Sequence, residues 1–177
     1  MYITLKNCLN EIMSNPDYYY PEGNLQDVRT KYNIPEIGEV NGSTKFRLLV
    51  LHELELDRQN TVQCEYLTSS GAKKDFCYRT DNEVVLGIPN TDFKTENMIS
   101  QKNAQGSTSK YLPITIYPDA KSVKEEDSGY MESQALFLGL RADGAMTIIQ
   151  NVDCEKENHK NYIQCQAIKY VSSIDLD

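Results

Sequence analysis

The sequence predicts an α+β, β-rich fold: a mostly antiparallel sheet, or a two-sheet sandwich, of about eight strands preceded by two short N-terminal helices. Three observations carry that prediction. Apolar residues near the start recur at helical spacing, at Leu5, Cys8, Leu9, Ile12 and Met13. Beyond residue 44, short apolar runs alternate with Gly, Asn, Asp and Pro. Phe46 to Asp57 (FRLLVLHELELD) is the longest run with strand character, apolar on both faces in its first half and on one face afterwards, as in a central strand leaving a core. A chain of 177 residues is most simply one domain, 1–177, with a helical segment 1–40 packed on a β-rich body 44–172.

In order along the chain, Ile3 to Met13 reads as an amphipathic helix ended by Ser14-Asn15-Pro16, because the residue before a proline is pushed out of the α region. A second helix is expected from Asn24 to Tyr32, stopped by Ile34-Pro35. Asn41-Gly42-Ser43 reads as a turn; it also matches the glycosylation acceptor pattern, which has meaning only in a secreted eukaryotic setting. Strands follow at Thr61–Thr68, Lys74–Thr80, Glu83–Ile88 and Tyr111–Tyr117. Pro113 lacks an N–H and so belongs at an edge or bulge. Leu136–Arg141 and Ala145–Asn151 flank Ala142-Asp143-Gly144, a three-residue loop that sets Leu140 opposite Met146 and Leu138 opposite Ile148. A last hairpin is expected from Val152–Glu157 and Tyr162–Val171. Pro89–Lys110 and Pro118–Ser133 read as long polar connections, the kind that carry partner surfaces.

Bulk properties exclude several functions. A net charge of −8 disfavours a nucleic-acid backbone or an anionic membrane, since both need clustered Lys and Arg. No apolar run approaches the ~20 residues of a spanning helix. No leader is visible after Met1, so an intracellular, cytoplasmic location is expected, and a secreted one if the cysteines form disulfides.

The five cysteines hold the most information. A turn centred on Ser70-Gly71 sets Cys64 opposite Cys77, and a loop at Asn158–Asn161 sets Cys154 opposite Cys165. Reduced core cysteines, two cross-strand disulfides and a four-cysteine zinc site all stay open. The zinc reading lacks the usual close C-x-x-C pairs. The missing leader and the odd fifth cysteine favour thiols.

Glu53, Glu55 and Asp57 line one face if their run is a strand, with His52 beside them. Such a row suits a divalent cation or acid–base work in a small metal-dependent hydrolase, and equally the solvated end of a strand. His159 falls in the expected loop. No nucleophile triad, Gly-rich phosphate loop or H-E-x-x-H pattern is present. Twelve tyrosines without a tryptophan, with Tyr18, Tyr19, Tyr20 and Tyr130 singled out, suit a protein-binding surface. The sequence is therefore read as a non-catalytic interaction or structural protein, an assembly component or partner-binding module. It is expected to need no cofactor and no metal, and to have a protein partner or to be a homo- or hetero-oligomer. The hydrolase is the alternative.

Overall fold

A computed structural model describes residues 2–14, 32–34, 38–40, 42–91, 95–120, 123 and 130–174. Among these, the chain runs α1 (Tyr2–Ser14), β1 (Tyr32–Ile34), β2 (Gly38–Val40), α2 (Gly42–Glu53), β3 (Thr61–Thr68), β4 (Gly71–Arg79), β5 (Val85–Gly87), β6 (Ile99–Lys102) and β7 (Thr108–Tyr117). It continues with α3 (Tyr130–Gln134), β8 (Leu136–Leu140), β9 (Met146–Ile148) and α4 (Ile163–Ile174). The α+β, β-rich class is as expected. Seven strands form one antiparallel sheet in the order β3-β4-β5-β7-β8-β9, with β6 paired to the first half of β7, and β1 and β2 form a separate hairpin.

Side-chain alternation gives the sheet two apolar faces. Leu86, Leu112, Ile114, Ile116, Leu138, Leu140 and Ile148 form one, which packs with Leu5, Leu9 and Ile12 of α1 and Phe46, Leu49 and Val50 of α2. Burial of each such α1 residue contributes roughly 1.5–3 kcal/mol; Leu5, Leu9 and Ile12 are at most 2% exposed, while Lys6 and Asn10 are exposed as the helical spacing requires. Val85, Tyr111, Tyr117, Phe137 and Ile149 form the other face, covered by Met131 and Ala135 around α3, by Val152 and by Cys165. The β3–β4 hairpin curls over this second face. Leu67 N–H donates to Thr115 Oγ1 at 3.0 Å and Tyr117 Oη donates to Glu65 O at 2.5 Å, so β7 side chains satisfy backbone groups on the outer edge of β3.

Local turn chemistry is where the sequence reads best. β8 and β9 pair with Leu140 opposite Met146 and Leu138 opposite Ile148, and Gly144 has φ 83°. β3 has the expected bounds.

Two longer apolar runs are helices where strands are expected. Phe46–Asp57 is not the central strand: its first eight residues complete α2. A run apolar on both sides does not separate a strand from a buried helix. Its leucines, Arg47 and Glu53 are good helix formers and only Val50 is β-branched. The burial of Phe46, Leu49 and Val50 follows helical spacing. Gly42 and Ser43, expected in a turn, open the same helix. Tyr162–Val171 is likewise no strand. It contributes to α4, whose inner face carries Gln164, Ala167, Ile168 and Val171 at the i, i+3, i+4, i+7 spacing. Glu157–His159 is a 3₁₀ turn. Pro89–Lys110 contains β6 and the start of β7. Pro113 lies mid-sheet, in the gap between the part of β7 paired to β6 and the part paired to β5. The expected helix from Asn24 lies outside the described residues except Tyr32, which opens β1.

Candidate functional site

The carboxylate row was legible only if its run were a strand. On α2 the same residues wind around the helix C-terminus. Leu56 N–H donates to Leu51 O at 2.9 Å and Glu55 N–H donates to His52 O at 3.0 Å, the paired bonds of a Schellman end. Glu55 is the residue that must turn left-handed, with φ 53°. A glycine is usual there because it has no Cβ to clash. Asp57 closes the next turn, its Oδ1 accepting Gln59 N–H at 2.8 Å. His52 Nδ1 lies 3.5 Å from Glu53 Oε1, at the last turn of α2.

Glu55 and Asp57 do share an open cleft of about 500 Å³, floored by Leu54, Leu56 and Val84 and rimmed by Asn60, Arg79 and Asp81. Arg79 is paired with Glu83, which with Glu55 is one of two non-glycine residues in the left-handed region among the described residues, at φ 59°. Among the described residues no group of three or more His, Cys, Asp or Glu side chains is placed to hold a metal ion.

Both expected cysteine pairs meet, and both are disulfides. Cys64–Cys77 has a Cα separation of 5.8 Å and Cys154–Cys165 one of 5.4 Å. The expected preference for thiols gives way to this pairing. The routes to it differ from the expected hairpins. The β3–β4 turn is Ser69-Ser70, with Thr68 opposite Gly71, so Cys64 faces Asp75 and Cys77 faces Val62. The register is displaced by two positions. An even displacement keeps both cysteines on one face of the sheet, where a diagonal pair is within bonding reach. Cys154 lies in the segment after β9 and Cys165 in the first turn of α4. The remaining cysteine, Cys8, is buried against Val50, and burial, then the charge of Glu53, pushes its thiol up to about 12. That is the opposite of an activated nucleophile.

The tyrosines divide. Tyr18, Tyr19 and Tyr20 lie outside the described residues, and Tyr130 opens α3. Tyr66, Tyr111 and Tyr117 are core residues, at most 2% exposed. Two glycines make room for them: a Cβ on Gly87 would come within 2.4 Å of Tyr66 Cβ, and one on Gly139 within 2.7 Å of the Tyr111 ring. His159 is half-buried. It stacks on Tyr162 at 4.4 Å, and its Nδ1 lies 2.8 Å from Asp153 O.

One buried polar side chain has no counterpart among the expected site residues. Gln164 is fully buried, and its amide enters the β8–β9 ladder where the two strands splay. Oε1 accepts Phe137 N–H at 2.7 Å, and Nε2 donates to Phe137 O at 3.2 Å and to Ile149 O. A glutamine on the apolar face of IQCQAIKYV was the available signal, invisible while the segment was read as a strand.

No helix among the described residues is long and apolar enough to cross a membrane. No family model, curated protein or solved structure matches the chain.

Proposed function

We propose that this chain is a non-catalytic, protein-binding module of an oxidising compartment: a disulfide-stapled scaffold that presents polar, tyrosine-bearing connections to a protein partner. The observation that carries the reading is the structural employment of the groups that catalysis would need. Glu55 ends a helix, Asp57 closes a turn and Cys8 is sealed in the core. The two disulfides support the compartment, because such bonds persist where thiols are not kept reduced. Tyr18–Tyr20, and Tyr130 at the start of α3, supply the contacts in this reading, since tyrosine is a favoured interface anchor.

Association of the purified chain, alone and with proteins of its native source, is measured for the wild type and for Tyr18→Ser/Tyr19→Ser/Tyr20→Ser. Sedimentation of the chain alone reports whether the partner is a second copy. The expected result is a partner retained by the wild type and lost by the variant at an unchanged unfolding midpoint. Divalent-cation-dependent hydrolysis abolished by Asp57→Asn would overturn the proposal in favour of an enzyme.

A further inference from the structure

The two disulfides share the core of the second sheet face but differ in access. Cys64 and Cys77 belong to the closed core of the second sheet face, 4% and 0% exposed. Cys154 is half-buried, between exposed Asp153 and Glu155, while its partner Cys165 is 7% exposed. Thiol–disulfide exchange requires a thiolate to reach one sulfur in line with the bond, so access decides which bond reacts.

The leaving side is also set by the fold. Tyr162 O accepts Gln166 N–H at 3.0 Å, which makes Tyr162 the cap of α4 and Cys165 its third residue. Backbone N–H groups of a first helical turn lack helical acceptors and favour an anion there. The first turn of α4 thus favours a thiolate released at Cys165, while the burial of that side chain opposes it. Access to Cys154 therefore sets the direction of attack. Cys165 is also the neighbour of Gln164, so the first turn of α4 is fastened twice over, by the disulfide and by the buried amide. Beyond that turn, Ala167, Ile168 and Val171 are only partly buried.

We infer that Cys154–Cys165 is a redox-sensitive strap on α4, exchangeable with dithiol oxidoreductases, whereas Cys64–Cys77 is a permanent staple. In the exchange, a thiolate of the dithiol attacks Cys154 Sγ and the Cys154–Cys165 bond breaks. Cys165 departs as a thiolate and takes a proton from water. The second thiol of the reductant then resolves the mixed disulfide, leaving Cys154 reduced and the reductant oxidised, a balanced two-electron transfer. With the strap open, α4 loses its covalent tether and is held by Gln164 and by packing of its inner face, and its amides open more often. This inference does not depend on the identity of any partner.

The test uses the full native chain with limiting dithiothreitol, alkylation of released thiols and peptide mapping, followed by hydrogen exchange on the partly reduced form. The expected result is alkylation at Cys154 and Cys165 at least about tenfold faster than at Cys64 and Cys77, with faster exchange in residues 163–174 and unchanged exchange in β3 and β4. The variant Cys154→Ser/Cys165→Ser provides the open form independently and is expected to reproduce the α4 exchange. Opening of Cys64–Cys77 first, opening of both pairs together, or unaltered α4 exchange after Cys154–Cys165 opens would overturn the inference.

Discussion

Cys64 and Cys77 are joined across adjacent antiparallel strands although neither is the other's register partner. Cys64 stands opposite Asp75, Cys77 opposite Val62, and the bond runs along the diagonal between them. The right-handed twist of paired strands closes one of the two diagonals, here to a Cα separation of 5.8 Å. The bond locks the curl of the β3–β4 hairpin over Tyr117. Replacing both cysteines by alanine is expected to lower stability by about 3 kcal/mol, the scale for closing a loop of this length. Urea unfolding checks it, and a loss below about 1 kcal/mol would mean that side-chain packing alone fixes the hairpin.

Gln164→Leu keeps the volume of the wedge and removes its polar atoms. Phe137 N–H and Ile149 O then stay buried without the amide that bridges them. Each such orphan costs about 1–3 kcal/mol, so a loss of roughly 2–4 kcal/mol is expected in denaturant unfolding. A change within about 0.5 kcal/mol would show that β8 and β9 simply zip together once the amide is gone.

Glu55→Gly tests the reading of the carboxylate row. The left-handed backbone at φ 53° strains a residue with a Cβ by about 1 kcal/mol or more. Glycine relieves that strain, offset in part by its freedom in the unfolded chain. A net gain of up to about 1 kcal/mol is expected. A clear loss of stability would assign the Glu55 side chain an attractive role at the cleft.

The two buried helices depart from the expected strands for different reasons. Turns are local, so Ala142-Asp143-Gly144 with flanking Leu140 and Met146 was legible, and so was the amphipathic α1, whose polar side faces water. α2 carries apolar residues on more than one side, and such a run does not report a period by itself. α4 does carry a helical period, with Gln164, Ala167, Ile168 and Val171 inward and Gln166, Lys169 and Tyr170 exposed. The one-face row expected of Glu53, Glu55 and Asp57 goes with that first strand, although Glu55 and Asp57 still share a cleft. The cysteine pairs survived because an even register displacement preserves the face, and because α4 returns Cys165 to Cys154 over the same short span. Gln164 stayed hidden for want of the helix that aims it.

The β8–β9 turn predicts a pH dependence. Arg141 Nε donates to Asp143 Oδ1 at 3.1 Å, and Ala145 N–H donates to the same oxygen at 3.1 Å. The Arg141 hydrogen bond, and then the backbone bond, hold the Asp143 carboxyl below the ordinary aspartate value despite partial desolvation. A carboxyl depressed on folding contributes its stability above the unfolded value, about pH 3.9, and loses it as pH falls through the lower folded value. With side chains 46% and 54% exposed, the effect stays below about 1 kcal/mol. The stability gap between wild type and Asp143→Asn is expected to be present at pH 6 and to shrink below about pH 4. A gap that widens on acidification would contradict the assignment.

The central claim is a scaffold held by two disulfides with one sealed thiol. Titration of reactive thiols in the unfolded, unreduced protein tests it most directly. One reactive group, Cys8, is the predicted result, against the five cysteines in the chain. A count of five would contradict both the stapled scaffold and the oxidising compartment in which it is proposed to work.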